Sequence, residues 1–122
     1  MFAEFDYSSF PIVNVKINSK VDDDEDFELF LNSWRKLYDD EKNFSFIFDT
    51  KDVGWIPLKY SFKMSMFIKE LKQRNIQYLQ QSTIHVYNNT VMNLLSLIFI
   101  LQKPVAHVNI MRNNQNVKTF LP

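Results

Sequence analysis

The feature that most constrains the fold is the stretch 44–49, a short, mostly aromatic run that ends in an acid. A nearly continuous apolar run of this length is typical of a β-strand that is buried on both faces, with its C-terminal end emerging at the surface. On either side of it, apolar residues recur at three- and four-residue steps, which predicts helices with one apolar stripe each. We therefore expect a helix-covered sheet with this strand in its interior.

Helix and strand patterns alternate along the rest of the chain. They predict helices and further strands as follows: helices at 27–38, 58–74 and 91–102, and strands at 3–7, 12–17, 82–87 and 105–110. This alternation favours an α/β fold with right-handed crossovers and a mainly parallel sheet of four to five strands covered by helices. We expect residues 1–122 to form a single domain, with 112–122 as a polar tail or short edge segment and a turn at 18–20.

Composition narrows the classes of function. The chain has 122 residues, of which 46% are hydrophobic and 16% aromatic, so it can bury a core and is not of the disordered class. Its 14 basic and 14 acidic residues cancel, which argues against nucleic acid and anionic membranes as partners. There is no cysteine, which excludes disulfides and thiolate metal sites and favours an intracellular, cytoplasmic location. The longest apolar stretch, 91–101, falls short of the roughly 20 residues that span a bilayer, and residues 1–15 show no signal-peptide pattern.

Three polar features carry possible chemistry, and each has a simpler interpretation. The acidic run 22–26 lies where it would stabilise the positive end of the first helix, and it lacks the glycine and glutamate of a calcium loop. Asp49 precedes the loop 50–57 and Asp52 lies within it, and the two could form an acid–base pair, although Asp49 more simply caps backbone amides there. His85 and His107 lie on two predicted strands, but a zinc site needs two more ligands. We expect neither a metal nor a cofactor.

The order of residues 46–53, a loop and the helix 58–74 resembles the core of STAS domains, the anti-sigma-factor-antagonist fold that includes SpoIIAA-like proteins. Residues 26–28 and 84–87 fall where the SpoIIAA-like pattern has its first helix and a later strand. The resemblance implies a STAS/SpoIIAA-like fold and a non-enzymatic protein-interaction module. Other α/β sandwiches share the pattern, including lipid-binding domains of the CRAL-TRIO type.

Many STAS domains carry a phosphorylatable serine or threonine at the start of the helix that follows this strand. In this sequence Pro57 or Leu58 holds that place, and Ser61 lies one turn further on. The resemblance therefore does not imply phosphorylation control here.

The second predicted helix has apolar residues outside its core stripe. Phe62 and Met66 fall opposite that stripe beside several lysines, a combination that can mark a protein-binding site. The predicted partner-binding set adds the residues at the entry to the helix: Trp55, Ile56, Lys59, Phe62, Lys63 and Met66. Two alternatives remain open, since scattered exposed apolar side chains are normal and Phe62 could pack under the N-terminal segment.

The third predicted helix is apolar nearly all round. It is either sandwiched in the core or it contacts a second copy of the chain through its outer face. We favour the second interpretation, because a two-layer domain of this size seldom buries every face of a helix. The predicted homo-oligomer contact consists of Leu94, Leu97, Ile98 and Leu101.

Together these features predict a non-enzymatic protein-interaction or scaffolding domain, either a regulatory adaptor or a component of an assembly. One glycine, two alanines and abundant Asn, Lys, Ile and Phe are typical of AT-rich genomes such as those of some large viruses, so a virus particle is one such assembly. The alternative is a carrier of a lipid or other apolar ligand, with a cavity lined by Met92, Leu95 and Phe99. A hydrolase built on the two aspartates of the loop is a weaker third possibility.

Overall fold

The computed structural model describes residues 2–18 and 23–122, and these residues form six strands and three helices. In chain order they are β1 (Ala3–Asp6), β2 (Ile12–Ile17), α1 (Asp24–Asp39), β3 (Phe44–Asp49), α2 (Lys59–Lys72), β4 (Leu79–His85), α3 (Asn89–Leu101), β5 (His107–Arg112) and β6 (Gln115–Phe120). Part of the predicted turn at 18–20 and the first residue of the acidic run 22–26 lie outside the described residues.

All six strands belong to one sheet and lie in the order in which they occur in the chain. Strands β2 to β5 are parallel to one another, whereas β1 and β6 pair antiparallel with them at the two edges. The predicted α/β class is confirmed. The predicted mainly parallel sheet of four to five strands is wrong, because a short antiparallel connection at each end of the chain makes the sheet six-stranded and mixed.

Strand β6 occupies the segment predicted as a polar tail or a short edge segment, and the structure has the second of these. A two-residue turn joins it to β5, with Arg112 directly opposite Gln115. The two turn residues, Asn113 and Asn114, have φ angles of 53° and 61°. Asparagine tolerates this left-handed conformation better than most residues, and the turn twists in the direction that a hairpin requires. The segment is polar because it lies exposed at an edge of the sheet.

The three helices cover a single face of the sheet, as right-handed crossovers between sequential parallel strands require. In α1, the ring of Trp34 lies 4.7 Å from that of Phe46 on β3 and 5.2 Å from that of Phe67 on α2. In α3, Ile98 lines the same internal cavity as Ile84 of β4. The hydrophobic core therefore forms one layer between the helices and this face.

The opposite face of the sheet is not covered by helices, and we call it the open face. The three phenylalanines of β3 are buried, whereas its other three residues are only half-buried. The expectation that this strand is buried on both faces is therefore wrong, because the aromatic residues occupy every second position and all point to the helices. One row of paired residues crosses the open face on all six strands: Asp6, Asn14, Ile47, Thr83, Asn109 and Thr119.

Side-chain caps fix the starts of α1 and α3. Asp23 accepts a hydrogen bond of 2.8 Å from the backbone N–H of Asp26, and three acids occupy the first turn of α1, as predicted. Asn88 accepts from the N–H of Val91 at 2.9 Å and donates to the carbonyl of Val53 at 2.8 Å. The second bond ties the start of α3 to the loop after β3. Among residues 2–18 and 23–122, no helix is long and apolar enough to cross a membrane.

Candidate protein-contact surfaces

The most unusual surface of the molecule is the outer face of α3. This helix contains no charged residue, yet only Val91 and Ile98 of its side chains are buried. Ile100 is 80% exposed, and Leu101 is exposed as well. Leu94 and Leu97 are half-buried beside them, and helical spacing places these four residues on one side of the helix. We call this the α3 surface: Leu94, Leu97, Ile100 and Leu101.

The α3 surface differs from the predicted oligomer contact in two residues. Ile98 is buried and lines the internal cavity, so it cannot contact another chain from its position in the core. Ile100, which the prediction omitted, is the most exposed of the large apolar residues of the helix. The solvent-facing side of this helix could not be predicted from the sequence, because no charged residue marks it. Once Ile98 faces inward, helical spacing alone places Ile100 outward.

The predicted partner-binding residues are all exposed except Ile56. Trp55 is 69%, Met66 63% and Phe62 48% exposed, and the last two lie one turn apart on α2. Ile56 is only half-buried and packs against the core. The prediction that Phe62 could lie under the N-terminal segment does not hold, since it borders an open groove. We call Trp55, Phe62 and Met66 the α2 surface.

Phe62 and Met66 border a groove between α1 and α2 with a volume of about 570 Å³. Arg35 lies along this groove and donates two hydrogen bonds to Glu70, at 2.8 and 3.0 Å, and one to Glu28, at 2.6 Å. The hydrogen bonds that Arg35 donates to Glu70 lower the pKa of Glu70, and the same bonds raise the pKa of Arg35. The two helices are thus joined across the groove by a bidentate pair of the kind that holds a fixed geometry.

The two lysines predicted at the start of α2 also contact α1. The Nζ atoms of Lys59 and Lys63 lie 3.1 and 3.8 Å from the carboxylate of Asp24, and Tyr60 donates its hydroxyl proton to the same group at 3.0 Å. The hydrogen bond from Lys59 is the largest of the effects that lower the pKa of Asp24. These lysines therefore balance an acid at the start of α1, and the groove is not a strongly cationic site.

The two aspartates that could support catalysis make structural contacts, and the two histidines lie apart. Asp49 accepts a hydrogen bond from the N–H of Lys51 at 2.8 Å, which confirms the predicted cap, and Asp52 lies 3.3 Å from Nζ of Lys16. His85 and His107 are on neighbouring strands, but their pairing register offsets them by four residues, or about 13 Å. Within the part of the chain that the structure describes, no three His, Asp or Glu side chains come together as metal ligands.

An internal cavity of about 130 Å³ lies between the helices and the sheet. Leu95 and Phe99, two of the three residues predicted to line such a cavity, do so. Pockets for drug-sized ligands usually measure about 300–1,000 Å³, so a lipid does not fit into this space.

Comparison with protein-family models, with curated proteins and with solved structures finds no match for this chain. Its function must therefore be inferred from the geometry of its surfaces and its cavity.

Proposed function

We propose that this domain is a non-enzymatic protein-interaction module of the scaffolding type, in which the α3 surface joins two copies of the chain. The observation that carries the proposal is an uncharged helix of 13 residues with only two buried side chains. Apolar surface gains free energy when it leaves water, and contiguous exposed apolar patches are rare on soluble monomers. A partner that covers α3 would supply this stabilisation.

A second copy of the chain suits this surface better than a charged partner. In a twofold dimer the same patch meets itself, so a charge near the twofold axis would face its own copy. The sequence of α3 avoids this problem, since it has neither acids nor bases. A partner recognised through charge would need a complementary charge on this helix, and α3 offers none.

The α2 surface serves a different protein within the same proposal. It lies on the side of α1 and α2, whereas α3 packs above β4 and β5, so both surfaces can be occupied at once. Trp55, Phe62 and Met66 supply apolar contacts, and Lys69 lines the adjoining groove. The partner that fits is a segment with large apolar side chains and an acidic residue. Simultaneous use of both surfaces is what an adaptor or a component of a larger assembly, such as a virus particle, requires.

A STAS-like relationship remains part of the proposal, because β3, the loop after it and α2 follow each other in the order that carries the resemblance. Phosphorylation of Ser61 is not part of it. That side chain is 1% exposed in the first turn of α2, so a kinase could reach it only after the helix opened. Carriage of a lipid is not proposed either, since the cavity is too small.

Sedimentation equilibrium of the wild-type protein tests the proposal across a concentration series. The expected result is a concentration-dependent rise from the chain mass of 14.6 kDa towards twice that value. Met66→Ser should show the same rise, because Met66 belongs to the other surface. A mass that stays at that of a single chain at every concentration would overturn the proposed self-association, as would dissociation caused by Met66→Ser alone.

A further inference from the structure

A second groove, with a volume of about 770 Å³, lies between β1 at one edge of the sheet and α1. Phe5 of β1 and Phe30 of α1 both line it, and their rings lie 6.0 Å apart. Leu29 of α1 also lines the groove and is 56% exposed. The groove therefore offers apolar contacts at the end of the helical layer opposite α3.

The backbone of β1 can pair with a further strand at this groove. The N–H of Asn18 donates to the carbonyl of Phe2 at 2.7 Å, and this bond shows which residues of β1 pair with β2. Because such bonds involve every second residue of an antiparallel strand, the even-numbered residues bond to β2 and the odd-numbered ones point to the free edge. Ala3 is buried, whereas Phe5 is half-buried. Among residues 2–18 and 23–122, none bonds to the backbone N–H or carbonyl of Phe5, so an added strand can pair there.

The charges of β1 determine what kind of strand fits. The side chains of Glu4 and Asp6 are exposed and lie on the open face, one on each side of Phe5 in the chain. If two copies of β1 paired antiparallel about Phe5, Glu4 would lie opposite Asp6 of the other copy, and like charges in this position destabilise a sheet. A strand with basic residues at these two positions would instead form two pairs of opposite charge.

From this arrangement we propose that β1 and α1 bind an extended segment of a partner protein, which adds to the sheet antiparallel to β1. The segment has an apolar residue opposite Phe5 and a basic residue on each side of it. Its apolar side chain lies between Phe5 and Leu29, and its basic side chains face Glu4 and Asp6. In strand addition of this kind, backbone hydrogen bonds supply affinity and the alternating side chains supply specificity. The site is separate from the α2 and α3 surfaces and depends on neither.

Three capped peptides test the proposal. The first has the core Thr-Lys-Val-Lys-Thr, the second has glutamate in place of both lysines, and the third keeps the lysines but carries an N-methyl group on the valine. Binding can be followed in ¹H–¹⁵N NMR spectra of the full chain, with the amide of Phe5 as the main reporter. We expect the lysine peptide to shift the amides of β1 and α1 and to bind roughly fivefold to tenfold more tightly than the glutamate peptide, since two charge pairs change sign. The N-methyl group should weaken binding by about fivefold, because it removes one backbone hydrogen bond to Phe5.

Two variants probe the side chains of the site. Leu29 and Glu4 are exposed, so Leu29→Ser and Glu4→Gln should fold as the wild type does. Leu29→Ser should weaken the lysine peptide severalfold, and Glu4→Gln should reduce the preference for lysine over glutamate by about threefold. Ile100→Ser is the matched control on the α3 surface and should bind the peptide as the wild type does.

The proposal is overturned if the lysine peptide leaves the amide of Phe5 unshifted, or if either altered peptide binds as tightly as the lysine peptide. It is also overturned if Leu29→Ser binds as the wild type does, or if Glu4→Gln keeps the full preference for lysine. Slower amide exchange in β1 at high concentration of the protein alone would overturn it too, since that result would place a second copy at this edge.

Discussion

Replacement of Ile100 by serine is the sharpest test of the α3 surface. Ile100 is 80% exposed in the single chain, so its removal should have little effect on folding. If the α3 surface pairs with itself, however, two copies of this side chain leave water in every dimer. The substitution should therefore weaken association while leaving the stability of the monomer nearly unchanged.

The size of the effect follows from the exposure. Full burial of an isoleucine side chain contributes about 1.5–3 kcal/mol relative to an exposed one. Because Ile100 is 80% exposed in the single chain, about four-fifths of this burial free energy would be gained on dimerisation. This amounts to about 1.2–2.4 kcal/mol per chain and twice as much per dimer. Because 1.4 kcal/mol is a factor of ten in Kd, Ile100→Ser should raise the dimer Kd by roughly 50-fold to 3,000-fold.

Leu29→Ser is the matched control. Leu29 is an isomer of isoleucine, lies on a helix and is 56% exposed, but it belongs to α1 on the far side of the helical layer. Sedimentation equilibrium of both variants, with urea unfolding to check stability, gives the comparison. The reasoning is refuted if Ile100→Ser associates as tightly as the wild type, or if Leu29→Ser weakens association to the same extent.

Three further predictions concern the fold. Phe46→Ala should lower the free energy of unfolding by about 3–5 kcal/mol in urea titrations, because it removes a buried ring that packs at 4.7 Å on Trp34; a loss below about 1 kcal/mol would contradict the single core layer. The pKa of Glu70 is lowered by Arg35, so the stability it contributes is present above the ordinary glutamate range near pH ~4.3 and is lost as the pH falls through its lower folded value. Glu70→Gln should therefore be less stable than wild type at neutral pH, by less than about 1 kcal/mol because the pair is partly exposed, and the difference should vanish in acid; a difference that persists there would refute the role of the ion pair. Asn114→Val should destabilise the hairpin by about 1–2 kcal/mol, since valine resists a φ of 61°, whereas Asn114→Gly should be tolerated; equal stability of the two variants in thermal unfolding would contradict the turn.

Much of the fold could be predicted because α1 and α2 have clear apolar stripes. The stripe of α1 and the acidic run at its start could be predicted from the sequence alone. The chain order of strands and helices then limits the topology to a few arrangements. The edges were harder to predict, since β6 is polar and its signal is only the Asn113–Asn114 pair between two short β-rich segments.

The interior strand shows why burial on two faces was the wrong prediction. Phe44, Phe46 and Phe48 make the stretch look continuously apolar, yet Ser45 and Asp49 mark an alternating pattern. Only Ile47 obscures it. The alternation is typical of a strand with one covered face, and the structure has that arrangement.

The contact surfaces and the cavity depend on information that residue spacing does not contain. The α2 surface could be predicted because core residues and lysines oriented that helix. The α3 helix has no charged side to show which way it faces. The prediction therefore placed Ile98 on the outer face and omitted Ile100.

Hydrogen–deuterium exchange at low and high protein concentration tests the central claim most directly. If α3 is the surface through which two copies meet, its amides should exchange more slowly at high concentration, with the largest change around residues 94–101. The Leu29→Ser variant should show the same slowing as the wild type. Exchange rates in α3 that do not depend on concentration, or slowing confined to the strands of the open face, would contradict the account.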